Sequence, residues 1–190
     1  MANDEWGTPP EILDRARAAL GGTIDVDPAS NAVAQRVVQA RTWYGPEDDG
    51  LTKPWNGTVW LNGPFSDLRP WISKLREEID ARRTRAAIVL VNCDPSTKWY
   101  KWALSMSSAK CDPFTRIKFL LDGELPKPRM VEQEDGTVKK VHRTNNKPQS
   151  LFYIGDWPTS FYEAFSDLGT VYAVSLQQRA AARAAAEVGR

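Results

Sequence analysis

The chain has 190 residues, with 25 Lys and Arg against 24 Asp and Glu, so its formal net charge is +1. This length fits one globular domain with a full hydrophobic core, and the charge excludes a polybasic protein that grips nucleic acid with its whole surface. Two cysteines and one histidine exclude a disulfide framework, a multi-histidine metal site and Ser-His or Cys-His catalysis. The start lacks a secretory pattern and no apolar run approaches the ~18 residues of a membrane span, so we expect a soluble, cytoplasmic protein.

Short apolar runs alternate with amphipathic stretches along the chain, which predicts an α/β fold with a mixed, mostly parallel sheet and flanking helices. We expect Thr8 to cap the first helix. Residues 177–190 are rich in Ala and Arg and lack a broad apolar stripe, so an exposed helical tail should follow a single domain over residues 1–176. The predicted helices span about 9–20, 31–40, 70–82, 97–106 and 160–168, and the predicted strands 23–27, 58–61, 86–91, 115–121, 151–154 and 171–174.

Two irregular segments stand out between these elements. The stretch over 42–57 is long enough to indicate a functional or a disordered loop. Residues 127–147 predict an inserted basic hairpin around an Asp135-Gly136 turn. This arm holds six Lys and Arg against three acids, so it carries +3 and the rest of the chain carries −2. Its alternatives are a solvated surface hairpin and a phosphate-binding surface made by Lys139, Lys140, Arg143 and Lys147.

The sharpest local signal follows the predicted strand 58–61, where the sequence reads Asn62-Gly63-Pro64-Phe65. In open parallel sheets, ligands bind at the carboxyl ends of the strands. The Asn62 side-chain oxygen and the Gly63 carbonyl offer two acceptors for an exocyclic amine, and Phe65 offers a flat face for a planar base. The alternative is a tight turn between strand and helix, with Asn62 as a cap and Phe65 in the core.

Carboxylates mark the end of the first long predicted strand, where Asp25 and Asp27 precede Pro28. The Asp27 carboxylate is suited to a ribose hydroxyl or an ammonium group, and a turn or helix cap is the alternative. The chain has no glycine-rich phosphate-binding motif, which favours a ligand without phosphates. Asp48-Asp49 and Asp94 lack a third ligand at convincing spacing, so solvated loop acids are favoured over a metal site.

Several short segments follow one another in a characteristic order over most of the chain. They are Trp6-Gly7-Thr8-Pro9, Ile24-Asp25-Val26-Asp27-Pro28-Ala29-Ser30, Asp48-Asp49-Gly50-Leu51, Pro54-Trp55-Asn56-Gly57, Val59-Trp60-Leu61-Asn62-Gly63-Pro64-Phe65-Ser66, Ile88-Val89-Leu90-Val91 with Thr97-Lys98-Trp99, Arg116-Ile117-Lys118-Phe119 and Pro148-Gln149-Ser150-Leu151-Phe152-Tyr153. In this order and spacing they resemble the phage-type Dam family of DNA adenine-N6 methyltransferases.

The resemblance implies the Rossmann-like fold of methyltransferases that depend on S-adenosylmethionine, with DNA as partner, no metal, and a monomer or weak dimer. It also implies a phage or prophage role in protecting DNA from restriction in the host cytoplasm. The catalytic residues would be Asn62, Gly63, Pro64 and Phe65, matching the pattern [DN]-P-P-[YF]. The cofactor-binding residues would be Trp6, Thr8, Pro9, Asp25, Asp27, Pro28, Ala29 and Asp49, and the DNA-binding residues Ser66, Arg116, Lys139, Lys140, Arg143 and Lys147.

Gly63 departs from this pattern, because the family usually has its first proline there. The carbonyl acceptor persists, but the loss of a pre-set φ predicts a looser or wider pocket. Three functions therefore stay open: adenine-N6 methylation, an altered output such as cytosine-N4 methylation or a bulkier adenine modification, and a catalytically inactive DNA-binding module. Five of the eight tryptophans fall in or beside the proposed site segments, where they line or brace it: Trp6, Trp43, Trp55, Trp60 and Trp99.

Overall fold

The structure is a computed structural model that describes residues 6–121, 123–127, 129–133, 135–141 and 147–188. In chain order its strands are β1 (Trp6–Gly7), β2 (Val26–Asp27), β3 (Thr42–Trp43), β4 (Gly57–Leu61), β5 (Thr84–Asn92), β6 (Ala109–Pro113), β7 (Leu120–Leu121), β8 (Arg129–Glu132), β9 (Val138–Val141), β10 (Gln149–Ile154) and β11 (Gly169–Ala173). Its helices are α1 (Pro10–Ala19), α2 (Ala32–Val38), α3 (Arg69–Asp80), α4 (Lys98–Met106), α5 (Pro158–Phe165) and α6 (Leu176–Glu187).

Seven strands form the central sheet, in the order β11-β6-β10-β5-β4-β2-β3. The neighbours from β3 to β5 pair in parallel, whereas β10 pairs antiparallel with both β5 and β6, and β11 pairs antiparallel with β6. Strands β2 to β6 therefore point one way and β10 and β11 the other. This confirms the prediction of a mixed, mostly parallel sheet with flanking helices.

The core lies on both faces of this sheet, and β5 shows why. Along β5, Ile88 and Leu90 face one cluster, with α1 and α5, while Val89 and Val91 face the other, with α3 and α4. A strand covered on both faces has no solvent side, so an almost wholly apolar run is the expected sequence.

The sequence pattern misses β6, which the structure forms from Ala109 to Pro113. Lys, Asp and Pro within this segment disfavour a strand by local propensity. Pairing with β10 on one side and β11 on the other overrides that preference.

The terminal helix α6, predicted as an exposed helical tail, is exposed along most of its length but is also packed against the rest of the protein. Ala182 and Ala186 are buried, and the helix packs against α4. Small side chains allow this close approach without a broad apolar stripe, while residues such as Leu176 stay exposed. No helix in the described part of the chain is long and apolar enough to cross a membrane.

The basic arm contains the predicted hairpin, since β8 and β9 pair antiparallel apart from the central sheet. Its turn is held by Asp135, whose Oδ1 accepts hydrogen bonds from the Thr137 N–H at 2.9 Å and the Thr137 hydroxyl at 2.6 Å. Gly136 supplies the positive φ of +79° that the turn requires. Arg143 lies outside the described residues.

Candidate active site

A cleft of about 370 Å³ lies where the parallel strands end. Strands β2, β3 and β4 finish at the same edge of the sheet, so the segments that follow them converge there. The cleft is lined by Pro28, Ala29, Ser30, Asn31, Tyr44, Gly45, Pro46, Asp49, Gly50, Asn62, Pro64 and Trp71. The structure thus brings together the residues after β2, the 42–57 loop and the Asn62 tetrad.

The Asn62 amide is oriented by Thr8. Its Nδ2 donates a hydrogen bond to the Thr8 hydroxyl oxygen at 3.1 Å, and Thr8 is buried. With Nδ2 committed to Thr8, Oδ1 is the amide atom suited to accept a hydrogen bond from an amine. The prediction that Thr8 caps α1 is wrong: Pro9 precedes the helix without a side-chain cap, and the Thr8 hydroxyl serves Asn62 instead.

Gly63 is buried directly beneath the indole of Trp71. A Cβ built on Gly63 would lie 3.1 Å from Trp71 Cγ, which is tighter than ordinary van der Waals contact, and at an ordinary contact distance of 3.5 Å from Leu68 Cδ2. The indole therefore fills the room that a side chain would take. The expectation of a looser or wider pocket at Gly63 stays a prediction.

Phe65 packs against the segment that follows β6. Its ring meets the buried Phe119 edge-to-face, with the centroids 5.9 Å apart at 80°, and Phe65 itself is half-buried. From Arg116 to Phe119 exposed and buried residues alternate, so Arg116 and Lys118 face solvent. Directly after Phe119, β7 pairs with β1 next to Thr8. The Arg116–Phe119 segment therefore borders the tetrad, with its cations facing outward.

Asp27 lies beneath the cleft rather than in its lining. It is 2% exposed, and its carboxylate accepts hydrogen bonds from Gln35 Nε2 at 2.8 Å and the Ala29 N–H at 3.4 Å. Burial raises the pKa of this carboxyl to about 7, against the lowering effect of its hydrogen bonds to Ser30, Ala29 and Gln35. Asp27 thus shapes the turn that presents Pro28 and Ala29 to the cleft.

Asp25 does not reach the cleft, which corrects the expectation that it binds the cofactor. Its Oδ2 accepts hydrogen bonds from the Thr58 N–H at 2.9 Å and the Thr58 hydroxyl at 3.0 Å, and its Oδ1 lies 3.2 Å from Arg41. Thr58 stands near the start of β4, whereas Asn62 follows the end of that strand. Asp25 therefore lies toward the amino-terminal ends of the parallel strands, away from Asn62.

The 42–57 loop forms one wall of the cleft. Gly50 packs against the backbone of Pro28 so closely that a Cβ would lie 2.0 Å from the Pro28 carbonyl oxygen. Asp49, which lines the cleft, has a φ of +49° and accepts a hydrogen bond from the Leu51 N–H at 3.3 Å. Buried Trp55 donates its Nε1–H to the Gly50 carbonyl at 2.8 Å. This close packing fixes the loop over the end of β2.

A second cavity, of about 410 Å³, adjoins the first and shares Asn31 and Pro46 with it. Thr8 lines this second cavity while its partner Asn62 lines the cleft, so the Thr8–Asn62 hydrogen bond stands between the two spaces. Pro9 is buried beside it, and the backbone of Trp6 pairs with Leu121. The amino-terminal segment is thereby part of the site.

The candidate metal-binding acids are held by neighbouring groups. Asp48 Oδ2 accepts a hydrogen bond from the Gly45 N–H at 2.8 Å, and Asp94 Oδ1 accepts one from the Ser96 hydroxyl at 2.5 Å. Within the described residues, no group of three His, Cys, Asp or Glu side chains is arranged to hold a metal ion.

Sequence reasoning missed Tyr44, Asn31 and Trp71 as cleft residues. Trp71 is the hardest of the three to predict, because an aromatic residue in the first turn of a helix is equally compatible with a place in the hydrophobic core. Among the five tryptophans assigned to the site, Trp55 and Trp60 are fully buried and brace it, while Trp43 is 40% exposed.

The mixed, mostly parallel sheet with flanking helices and a cleft at the ends of its parallel strands is consistent with the Rossmann-like fold of a methyltransferase. Residues 1–179 match the family model described as DNA N-6-adenine-methyltransferase (Dam), and the chain belongs to this family. A search of curated proteins finds no match to the chain. The family methylates the N6 amine of adenine in DNA and uses S-adenosylmethionine as methyl donor, and its match does not favour the alternative functions.

Proposed function

We propose that this adenine-specific DNA methyltransferase performs its chemistry at the carboxyl end of β4, with Asn62 Oδ1 and the Gly63 carbonyl oxygen as the two acceptors for the target amine. The observation that carries this proposal is the 3.1 Å hydrogen bond from Asn62 Nδ2 to Thr8. It holds the amide so that Oδ1, on the same carbon, is the atom presented as acceptor.

The acceptor pair activates the amine by position and charge. Two hydrogen bonds to N6 would hold its lone pair toward the cleft. The two oxygens would stabilise the positive charge that develops on the nitrogen when the methyl passes from sulfur to nitrogen, until the amine releases its surplus proton to solvent. A base in duplex DNA is out of reach of such a site, so the target adenine is flipped out and stacks on Phe65. Phe119 holds the Phe65 ring from the side.

The cleft fits S-adenosylmethionine in its chemistry. Its volume of about 370 Å³ suits a small ligand, and Tyr44 and Trp71 give it flat walls for an adenine ring. Asp49 offers a carboxylate to ribose hydroxyls, and Pro28 and Ala29 form the floor. Trp6, Thr8 and Pro9 would lie toward the amino-acid end. When bound, this group supplies the activated methyl for transfer.

We further propose that the DNA-binding surface consists of Ser66, Arg116 and the basic arm, with Lys139, Lys140, Arg143 and Lys147 on phosphates. Exposure of Ser66, Arg116, Lys139 and Lys147 supports this assignment. So does the charge distribution, since the arm carries +3 and the rest of the chain −2. We propose one catalytic domain over residues 1–176, acting as a monomer or weak dimer.

The biological role that we propose is protection of phage or prophage DNA from restriction in the host cytoplasm. Adenine methylation blocks endonucleases that require an unmodified adenine. Plasmid DNA from cells that express the protein should therefore resist such an enzyme, whereas plasmid from cells expressing Asn62→Ala should be cut. Equal cutting of both plasmids would contradict the role.

A methyl-transfer assay on DNA without adenine methylation tests the acceptor assignment. Asn62→Ala removes one acceptor and should lower kcat by about 100–1,000-fold. Asn62→Asp keeps an acceptor oxygen and should retain more activity than Asn62→Ala. Asn56 is exposed just before β4, at the strand end opposite Asn62, so Asn56→Ala is a matched control with unchanged kcat. Wild-type kcat in Asn62→Ala would rule the assignment out.

A further inference from the structure

The contact between Gly63 and Trp71 connects the tetrad to the wall of the cleft. Gly63 is not among the residues with positive φ, so backbone conformation does not explain a glycine there. Lack of space explains the glycine, because a Cβ at position 63 would lie 3.1 Å from Trp71 Cγ and 3.4 Å from Trp71 Cδ1. The five-membered ring of the indole thus occupies the space that a side chain at position 63 would need.

Trp71 is itself held firmly from behind. Its ring stacks on Trp55, with the centroids 6.2 Å apart and an interplanar angle of 20°. Trp55 is fully buried, donates its Nε1–H to the Gly50 carbonyl at 2.8 Å, and donates its backbone N–H to Glu78 Oε2 at 3.1 Å. The indole of Trp71 therefore lies between the fully buried ring of Trp55 and the space beside Gly63.

We propose that Trp71 is a positioning residue for methyl transfer: its indole presses on Gly63 and fixes the peptide whose carbonyl accepts the second hydrogen bond from the target amine. The inference rests on the proposed function of the tetrad. The indole supplies by contact the restraint that a cyclic side chain at position 63 would supply covalently. Because misplacing an acceptor weakens transition-state contacts, loss of Trp71 lowers kcat even at saturating cofactor, in addition to the rise in the KM for cofactor expected from the loss of a cleft wall.

A double-mutant cycle at positions 63 and 71 tests the coupling between Gly63 and Trp71. Trp71→Ala removes the restraint, and Gly63→Pro places a ring against the indole, so each should lower kcat about 10–100-fold. In the double variant the proline fills the vacated space and restrains the peptide itself. Its kcat should exceed that of either single variant by about fivefold or more. A double variant whose loss equals the product of the single losses overturns the proposal.

Further variants separate positioning from folding. Trp71→Phe keeps ring atoms over Gly63, so its kcat should exceed that of Trp71→Ala by about fivefold or more. Gly63→Ala keeps the indole and should lower kcat about tenfold, with the KM for DNA within about twofold; wild-type kcat there overturns the proposal. Trp102, a half-buried indole on α4 that stacks on Arg76, is the matched control. A loss in Trp102→Ala equal to that in Trp71→Ala also overturns it.

Asn62→Ala, assayed in parallel, distinguishes a failure of the proposed acceptor site from a failure of the inference about Trp71. Turnover is counted per folded molecule, with the folded fraction taken from circular dichroism. If Asn62→Ala is inactive and the exchange at positions 63 and 71 shows the expected recovery, both the tetrad and its positioning by Trp71 stand. If Asn62→Ala is inactive without that recovery, only the inference about Trp71 fails. If Asn62→Ala is fully active, the proposed site fails, and the inference fails with it.

Discussion

At the scale of single residues, a hydrogen-bond partner decides the role of Asn62. An asparagine after a strand is compatible with a turn as well as with a catalytic acceptor. The hydrogen bond from Asn62 Nδ2 to the hydroxyl of Thr8, a residue distant in sequence, supports the proposed acceptor role. The tetrad could be predicted from the sequence, but this partnership could not, because it depends on how β1 and α1 pack beside β4.

Removal of the Thr8 hydroxyl should therefore impair catalysis. In Thr8→Val the Asn62 amide loses its fixed orientation, and kcat should fall about 5–30-fold, in proportion to one lost hydrogen bond of roughly 1–2 kcal/mol. Thr8→Ser retains the oxygen and should keep kcat near that of wild type. Wild-type kcat in Thr8→Val, or an equal loss in both variants, would contradict the role of the hydroxyl.

The Asp27 carboxyl predicts a pH dependence of stability. Burial raises its pKa from 3.8 to about 7, so between these values the folded protein binds a proton that the unfolded chain has lost. This contribution is complete below about pH 4 and disappears as the pH rises through 7. Asp27→Asn should remove it, so the free energy of unfolding should fall less from pH 4 to 7 in the variant. Parallel stability curves from urea unfolding would contradict this account.

At the scale of helices and strands, the local hydrophobic pattern of the sequence predicts those elements whose residues match the burial and the boundaries that the fold gives them. Strand β5 is apolar because both of its faces are covered, and α1 is bounded by Pro10 and the glycines that follow it. Strand β6 and the packing of α6 escape prediction because neighbouring elements create them. The same limit hides Trp71, whose role depends on the contact between α3 and the end of β4.

Helix α3 also carries a buried ion-pair network that supports the site. Glu78 is fully buried, with Arg83 Nε at 2.5 Å and Lys74 Nζ at 2.7 Å, and it accepts the Trp55 N–H. Burial opposes ionisation of Glu78, but its bonds to Arg83, Lys74 and Trp55 prevail and lower its pKa to about 2. The network therefore holds Trp55, and through it Trp71, in place.

Glu78→Gln should lower the free energy of unfolding at pH 7 by about 1–3 kcal/mol, because it leaves two cations without their buried partner. The wild-type contribution is complete above the usual glutamate pKa of 4.5 and is lost as the pH falls toward 2, so the variant should lose less stability in acid. Denaturant unfolding from pH 7 to 3 measures both effects. The exposed Glu77 provides the control Glu77→Gln, and an equal effect there would contradict the role of the network.

At the scale of the whole molecule, charge is divided between a body of −2 and an arm of +3. Near-neutrality of the chain is thus compatible with a polyanionic substrate, provided that the arm meets the DNA. The arm follows the segment that borders the tetrad, which places its cations next in sequence to the site.

Replacement of Lys139 and Lys140 by Gln should weaken DNA binding and flatten the slope of log K against log[salt] by about 2, at ~0.9 for each phosphate contact. Arg82 and Arg85 are exposed at the start of β5, away from the tetrad, and their replacement by Asn and Gln is the matched control. Fluorescence anisotropy over a salt series measures both slopes. An unchanged slope in the arm variant would show that the arm does not neutralise phosphates.

The central claim is that Asn62 and Gly63 present a DNA adenine amine for methylation. Mass spectrometry of nucleosides from DNA treated with the protein and S-adenosylmethionine tests it most directly. We predict N6-methyladenine with the wild-type protein and its loss with Asn62→Ala. Undiminished N6-methyladenine with Asn62→Ala, or a modified base other than N6-methyladenine with the wild type, would contradict the account.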